Sequence, residues 1–290
     1  MFFPQRSVLI WTGIVWSLTA VVAAAGPFAP AGGEPGSTAI PATDPSIVEW
    51  ATGAAIDRGL AEIDDPALGY ASYGGQTGSP ANNAPLGQPP QPQTTSYGVA
   101  LGQGGTVTLT FDRPIANGPG PDFAVFGNGF SEGSQEWVKP AFVEVSSDGV
   151  HFFRFPSVSL TQTATQIGSY GTLDPTDLYD LAGKDPAGYG TPFDLQELAH
   201  VSPLLNVDDV TEVRLVDCVG DINPTYATYD SQGHIINAPW PANSVVGSEG
   251  FNLAGVGVIN TAPEPGTFSL AIAAVAFGAL LVRRGRAISR

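Results

Sequence analysis

The sequence predicts an all-β protein: a β-sandwich with long loops and a few short helices, flanked by an N-terminal signal helix and a C-terminal hydrophobic helix. Several segments alternate apolar residues with Thr or other polar residues, which is the two-residue period of a strand with one buried face. Turn-forming residues are abundant, with 36 Gly and 26 Pro among 290 residues. Within the body of the chain, helical patterns are confined to short pieces, and this combination favours a sandwich.

The clearest strand is at residues 106–111, where Thr and apolar side chains alternate without interruption. This pattern places Leu109 and Phe111 on the buried face of a central strand. Ser147-Asp148-Gly149 predicts a hairpin, because Asp-Gly between two alternating runs is a strong turn signal. At least six strands are predicted, at residues 106–111, 122–126, 141–145, 151–155, 211–219 and 251–259.

Two of the connections are long. Residues 74–92 are mostly Gly, Asn, Gln and Pro without periodicity, which is typical of a loop. Residues 156–210 show no clear strand, only short helical patterns at 175–181 and 194–199. We expect this second segment to form an elaborated connection over the sandwich, where binding sites are usually built. The first and last strands of the domain are expected to pair.

The first 25 residues have the parts of a secretory signal peptide. Arg6 supplies a positive charge, residues 8–22 are apolar, and Ala23-Ala24-Ala25 provides small residues for cleavage. We therefore expect signal peptidase to cut after Ala25. An uncleaved N-terminal anchor is the alternative, since the apolar run is not much shorter than a membrane span.

Four segments follow from these patterns and from composition. Residues 26–44 are rich in Pro, Gly, Ala and Ser, and this composition predicts a flexible linker. The predicted organisation is a signal peptide at 1–25, the linker at 26–44, the β-sandwich ectodomain at 45–260, and a sorting and membrane segment at 261–290.

The C-terminal segment begins with Pro263-Glu264-Pro265, continues with an apolar run at 268–282, and ends in a cluster of arginines. This order resembles the PEP-CTERM sorting signal of exported bacterial proteins. The resemblance implies an exosortase as the processing partner, a Gram-negative source, and a place in the cell envelope or outside the cell, with a transient or retained membrane anchor. An ordinary anchor that is not processed is the alternative.

The chain is strongly acidic, with 27 Asp and Glu against 11 Lys and Arg and a net charge of −16. Five of the basic residues lie in the two terminal segments, so the predicted mature domain is more acidic still. Such a surface repels nucleic acid and anionic membranes. Divalent cations and neutral glycans are better partners.

The ectodomain resembles a little-characterised family of bacterial cell-surface proteins over residues 48–260. The family's sandwich is similar to the jelly rolls of galactose-binding-like domains, so the resemblance implies a jelly-roll-like fold, glycan binding and a structural calcium, and no enzymatic activity. The motifs that carry it are Leu-Gly-Gln-Gly-Gly at 101–105, Gly-Pro-Gly-Pro-Asp-Phe at 118–123, Val-Ser-Ser-Asp-Gly at 145–149, Gly-Tyr-Gly-Thr-Pro-Phe-Asp-Leu at 188–195, and residues 226–240.

The sequence indicates calcium as a candidate cofactor. Asp217 ends a predicted strand, and Asp221 and Asp230 lie in the loop after it, so their oxygens could converge on Ca²⁺ with backbone carbonyls. Turn capping explains each Asp separately. Ala238, Asn252 and Ala254 stand where the family has acids, which implies weak binding of calcium or none.

Aromatic residues in the loops are candidates for stacking on sugar rings. Trp137, Tyr189 and Trp240 are the predicted ligand-binding residues, with Tyr170 as a further loop aromatic. Burial against the sandwich is the alternative.

Several signatures of catalysis are missing from the sequence. There is no nucleotide-binding glycine loop, no His-Glu-x-x-His and no zinc spacing. A glycosidase needs two carboxylates about 5 to 9 Å apart. Glu132 with Glu136, or Asp177 with Asp180, would supply one, but an acidic chain offers such pairs by chance. We therefore predict a non-enzymatic surface or extracellular-matrix protein that binds glycans of the extracellular polysaccharide, with a carbohydrate-active hydrolase and a purely structural protein as alternatives.

Overall fold

The computed structural model describes residues 25–72, 98–241 and 249–263, and these form an all-β, sandwich-like fold of antiparallel sheets. This confirms the all-β, sandwich-like part of the predicted fold class. Within that part of the chain the longest helix has four residues, and no helix is both apolar enough and long enough to cross a membrane. The predicted terminal helices at 8–22 and 268–282 lie outside the described residues.

Fifteen strands and three short 3-10 helices are present in the described ranges. The strands are β1 (Ile40–Pro41), β2 (Glu49–Trp50), β3 (Gly53–Asp57), β4 (Val99–Ala100), β5 (Thr106–Ile115), β6 (Phe123–Gly127), β7 (Phe130–Glu132), β8 (Gln135–Trp137), β9 (Ala141–Ser146), β10 (Phe153–Arg154), β11 (Val158–Ser159), β12 (Leu178–Tyr179), β13 (Tyr189–Phe193), β14 (Val210–Asp217) and β15 (Asn252–Val258). The helices are Pro66–Leu68, Pro175–Asp177 and Leu195–Leu198.

Two large sheets build the sandwich. One has the order β1-β13-β6-β15-β2, with β4 also paired to β15, and the other has the order β10-β9-β14-β5-β3. The pairing of β2 with β15 confirms that the first and last parts of the domain meet in one sheet. All six predicted strands are present, with β10 shorter than expected.

The core lies between the two sheets. Val107 and Leu109 of β5 contribute from one sheet, and Phe123 and Val256 from the other, all with no exposed surface. Phe193 of β13 stacks on Phe123, with ring centroids 5.4 Å apart. The core therefore extends from the sheets to the strand that leads into the 3-10 helix Leu195–Leu198.

The alternation predicted for β5 is confirmed at its centre. Val107 and Leu109 are buried, and Thr110 is exposed. Phe111 is partly exposed although it packs against the core. The predicted hairpin between β9 and β10 is also present: Gly149 has φ +70°, and the Asp148 carboxylate accepts hydrogen bonds from the backbone N–H groups of Val150 and His151.

The expectation that residues 156–210 contain no strand is wrong. β13 lies in a main sheet and pairs with β6 from Gly190 to Phe193, while β1 covers only the Tyr189–Gly190 end of β13. Gly190 lies against the ring of Phe126, where a side chain would collide. Pro192 lies beyond the end of β1, so its missing N–H interrupts no ladder on that edge.

Residues 26–44, whose composition predicts a linker, make specific contacts with the sandwich. Gly26 and Phe28 donate backbone hydrogen bonds to Thr176, and Ile40 and Pro41 pair with β13. Ala31 is buried. We call residues 25–38 the N-terminal segment, because it forms a wall of two cavities.

Candidate functional site

An acid-lined cavity of about 400 Å³ lies between the N-terminal segment and the 156–210 connection. We call it the acid cavity. Phe28 comes from the N-terminal segment, Tyr179 and Asp180 lie at and just after β12, and Glu197 comes from the 3-10 helix Leu195–Leu198. Its volume is in the range of about 300 to 1,000 Å³ that is usual for small-ligand sites.

The cavity has apolar as well as acidic walls. The rings of Phe28 and Tyr179 pack with centroids 5.2 Å apart, and Pro27, Pro121 and Pro192 add further apolar surface. The Tyr179 hydroxyl donates to Glu197 Oε1 over 2.9 Å. Burial and the surrounding carboxylates raise the pKa of Tyr179, so its phenol remains a proton donor.

Asp180 has the most unusual backbone of the site. Its φ of +47° is the only positive φ of a non-glycine residue in the described part of the chain. This left-handed conformation is accessible to Asp but uncommon. Asp180 is 8% exposed, and its Oδ2 accepts no hydrogen bond from any described residue. Strain and an unused buried oxygen at one residue are features that concentrate at functional sites.

The protonation of Asp180 follows from its surroundings. Burial, the nearby charge of Glu197 and a hydrogen bond with that carboxyl together raise its pKa to about 9, and Lys184 opposes the change. Two carboxyls can hydrogen-bond only if one carries a proton, so Asp180 is a neutral acid at pH 7. This hydrogen bond brings the carboxyl groups of Asp180 and Glu197 closer together than the two catalytic carboxylates of a glycosidase, which are about 5 Å or more apart.

Lys184 and Asp185 hold the N-terminal segment against the cavity. Lys184 Nζ donates to the backbone oxygens of Ala29 and Leu178, each over 3.0 Å. Asp185 accepts from the Gly32 N–H over 2.9 Å and from Thr191 Oγ1 over 2.7 Å. The single lysine of the cavity is therefore already engaged with two carbonyls.

A second cavity, of about 440 Å³, is also walled by the N-terminal segment. It is lined by Glu34, Glu136 and Asp174 among others. Glu136 is buried, and burial raises its pKa to about 7, with added repulsion from Asp185 and Glu34. The repulsion between Glu136 and Asp185 links the two cavities electrostatically.

The three aromatic residues predicted to bind a ligand lie outside the acid cavity. Trp137 is partly buried, stacks on Phe130 at 5.0 Å between centroids, and donates from Nε1 to the Ser169 carbonyl over 2.9 Å. Tyr189 packs over Gly32. Trp240 and Asp217 line a cavity of about 10 Å³, which has room for about one water molecule. None of the three lines the acid cavity.

The three predicted calcium ligands act separately. Asp217 is buried beside Lys139 and accepts from the N–H groups of Gly104 and Phe251. Burial raises the pKa of Asp217 to about 6, and these N–H groups and the lysine oppose the rise.

Asp221 and Asp230 bind backbone N–H groups of their own loops. Asp221 Oδ1 accepts from Asn223, and Asp230 accepts from Gln232 and His234. Over the described ranges, no three His, Cys, Asp or Glu side chains are grouped so that they could hold a metal ion. These residues do not fit the structural calcium that the family resemblance implies. Turn capping accounts for Asp221, whereas Asp217 and Asp230 also accept from backbone N–H groups of distant segments.

The predicted processing positions lie at the limits of the described chain. Ala25 is exposed and lines the second cavity, and Pro263 is exposed. Glu264 and Pro265 lie outside the described residues.

No protein-family profile matches the chain, and no curated protein sequence shows significant similarity to it. The chemistry of the cavities is therefore the basis for assigning a function.

Most residues of the acid cavity were not predicted from the sequence. Asp180 entered only as half of a carboxylate pair with Asp177, whereas its partner in space is Glu197. Lys184 and Asp185 carry no local motif. One local sequence pattern does belong to this site, the capped turn Asp194-Leu195-Gln196. The Asp194 carboxylate accepts from the Gln196 N–H and thereby fixes the start of the 3-10 helix that carries Glu197.

Proposed function

We propose that this chain is an exported, exosortase-sorted surface or extracellular-matrix protein that binds neutral saccharides in the acid cavity. The observation that carries the proposal is Asp180, a buried acid in a strained backbone conformation at the wall of a ligand-sized cavity. A left-handed Asp and an unpaired buried oxygen both destabilise the fold. A ligand that uses the carboxyl is a reason to keep them.

The cavity matches the chemistry of a sugar. Glu197 and Asp185 offer acceptors for hydroxyl groups, and so does Asp180 Oδ2, which accepts no hydrogen bond from the described residues. The Phe28 ring and the Tyr179 ring add the flat apolar surface on which the C–H face of a sugar ring packs.

The negative charge of the acid cavity selects against anionic ligands. Four carboxyl groups line the cavity, from Asp180, Asp185, Asp194 and Glu197. The one lysine is used by backbone carbonyls. Anionic polymers, including nucleic acid and uronic acid chains, are therefore disfavoured.

The export part of the proposal rests on the terminal sequences, with signal peptidase and an exosortase as processing partners. The sandwich is proposed to be jelly-roll-like, as the family resemblance implies. A hydrolase built on Asp180 and Glu197 is disfavoured by their direct contact.

Binding of saccharides to the purified protein tests the ligand. Isothermal titration calorimetry with neutral oligosaccharides is expected to show binding that Phe28→Ala weakens at least about tenfold, because a stacking face worth roughly 1.4 kcal/mol or more is lost. Glu197→Gln is expected to weaken binding as well. The matched control is Phe130→Ala, which removes an exposed aromatic outside the cavity.

Two results would contradict the binding proposal. One is the absence of binding across neutral oligosaccharides of different composition. The other is tighter binding of an oligomeric amino sugar that Phe28→Ala leaves unchanged, which would indicate nonspecific attraction of cations to the acidic surface.

Processing is tested separately by mass spectrometry of the protein from its native host. We expect a chain that begins at Gly26 and ends near Pro263-Glu264-Pro265, because both terminal segments have the order of cleaved signals. Recovery of an intact 268–282 segment in the extracellular fraction would count against cleavage at the C-terminus.

A further inference from the structure

The backbone nitrogen of Gly26 lies at the start of a chain of hydrogen bonds that ends on a carboxylate. It donates to Thr176 Oγ1 over 2.6 Å. The same hydroxyl donates to Asp174 Oδ1 over 2.6 Å. Two residues later, the Phe28 N–H donates to the Thr176 backbone oxygen over 3.0 Å. The N-terminal segment is thus docked from its first residue on the turn at residues 174–177.

The position of Gly26 requires a glycine because of the close approach to this turn. A methyl group at Gly26 would collide with the Thr176 carbonyl oxygen and with Asp177 Oδ1. The Asp177 carboxylate therefore lies beside the Cα of Gly26, while Asp174 is reached through Thr176. Two acids therefore lie close to Gly26.

Asp177 is poorly compensated while that nitrogen is a peptide amide, whereas Asp174 accepts two hydrogen bonds from Thr176. Burial raises the pKa of Asp177, and the charge of Asp174 raises it further. An uncharged amide has one hydrogen, and Thr176 already accepts it. An ammonium at the same place has three hydrogens and a positive charge, so it can keep the bond to Thr176 and also neutralise the carboxylates.

We propose that cleavage after Ala25 creates an α-ammonium on Gly26 that binds the Asp174–Asp177 turn and fastens the N-terminal segment to the sandwich. This inference rests on the cleavage that is part of the proposed function. Uncut chains lack the charge and hold the same segment by neutral hydrogen bonds alone. Maturation thereby stabilises the wall shared by the acid cavity and the second cavity.

The N-terminal segment contributes residues to both cavities, so its attachment at Gly26 affects both. Phe28 and Ala29 face the acid cavity, and Pro30 and Glu34 face the second one. Release of Gly26 leaves the segment held by the Phe28 N–H on Thr176 and by the contacts of Lys184 and Asp185. The site for the new N-terminus is therefore a site that fixes the binding surface.

The test compares two N-termini on the full chain, exported from a bacterial host through its own signal peptide. One form is the natural sequence, and the other has one Ser inserted between Ala25 and Gly26, so that cleavage leaves Gly26 as an amide. Intact mass establishes where each chain begins. Each form is made with and without Asp177→Asn, and Asp209→Asn, an exposed acid elsewhere, is the matched control. Thermal unfolding is followed in the same mild detergent.

The extra Ser is expected to lower Tm by about 2 to 6 °C at pH 7. Asp177→Asn is expected to lower Tm by a similar amount in the natural form and by less than about 1 °C in the extended form, because the partner charge is then absent. Asp209→Asn is expected to change Tm by the same amount in the natural and the extended forms.

Failure of the inference and failure of the export proposal give different results. If the natural chain begins at Gly26 but Asp177→Asn lowers Tm equally with either N-terminus, the ammonium does not bind the turn and the inference is wrong. If intact mass shows that the chain is not cut after Ala25, the predicted cleavage is wrong and the inference is wrong with it.

Discussion

Replacement of Leu109 by Ala is expected to lower the free energy of unfolding by about 2 to 5 kcal/mol. Leu109 has no exposed surface and lies on β5, directly between Val213 of β14 and Ala54 of β3. Hydrogen-bonded strands on both sides limit how far the backbone can close the space left by the missing side chain. The loss therefore includes both the transfer of the removed carbons and a residual cavity.

Thr110→Ala is the matched control for Leu109→Ala. Thr110 is the next residue of β5 and is exposed on the opposite face, so its replacement is expected to change stability by less than half as much. Urea denaturation at pH 7, followed by tryptophan fluorescence, measures both. Equal losses would show that both faces of β5 are covered and that Thr110 does not face solvent.

The strands of the core could be predicted because local pattern and burial agree there. Residues 106–111 alternate with a period of two, and Val107 and Leu109 face the core as this period requires. The turn at Asp148-Gly149 was predictable for a similar reason, since both the left-handed glycine and the capping carboxylate are local features.

β13 could not be predicted by the same reasoning. Its sequence, Tyr-Gly-Thr-Pro-Phe, has residues that disfavour a strand. Gly190 is required because the ring of Phe126 occupies the space of a side chain, and Pro192 is tolerated because β1 ends before it. Both reasons lie in other parts of the chain.

The acid cavity was unpredictable because its contacts join distant residues. Tyr179 meets Phe28, and Lys184 meets Ala29, across more than 150 residues of sequence. The composition of residues 26–44 indicates a linker, and nothing local shows that this segment closes a cavity. The sequence did indicate that residues 156–210 would carry a site, and this segment provides Tyr179, Asp180 and Glu197.

Charges elsewhere in this protein are arranged differently from those of the cavity. Glu144 on β9 is buried and forms ion pairs with Arg154 at 2.8 Å and Arg214 at 2.6 Å. Each arginine also lies over a phenylalanine ring. This arrangement neutralises a buried charge within one sheet. Asp180 has a second carboxyl as its neighbour instead, so stability does not explain its position.

Asp180 is expected to make the protein less stable as the pH rises. The pKa of its carboxyl is about 9 in the folded protein and about 3.9 in an unfolded chain. Between these values the folded state holds a proton that the unfolded state has released. Its contribution is therefore complete below about pH 4 and is lost as the pH rises through 9, with a slope of up to about 1.4 kcal/mol per pH unit.

Other groups determine the shape of this dependence. Asp217, with a pKa of about 6, adds to the loss of stability mainly below pH 7, and Glu136, with a pKa of about 7, adds to it until about pH 8. Burial lowers the pKa of Lys184, which gives an opposing gain as the pH rises through its folded value. The comparison of wild type with Asp180→Asn therefore isolates Asp180 best.

Urea denaturation of wild type and Asp180→Asn at pH 7, 7.5, 8 and 8.5 measures this contribution. The variant keeps an amide N–H that can donate to Glu197 at each of these pH values, so its stability is expected to fall less steeply than that of wild type. Asp194→Asn is the matched control in the same cavity, because its amide oxygen can still accept the Gln196 N–H. The charge of Asp194 is the smallest influence on the pKa of Asp180, so this control should keep most of the wild-type slope. A wild-type stability that stays constant or rises from pH 7 to 8.5, or an equal slope in Asp180→Asn, would mean that Asp180 is ionised in the folded protein. The neutral carboxyl assigned to Asp180 would then be wrong.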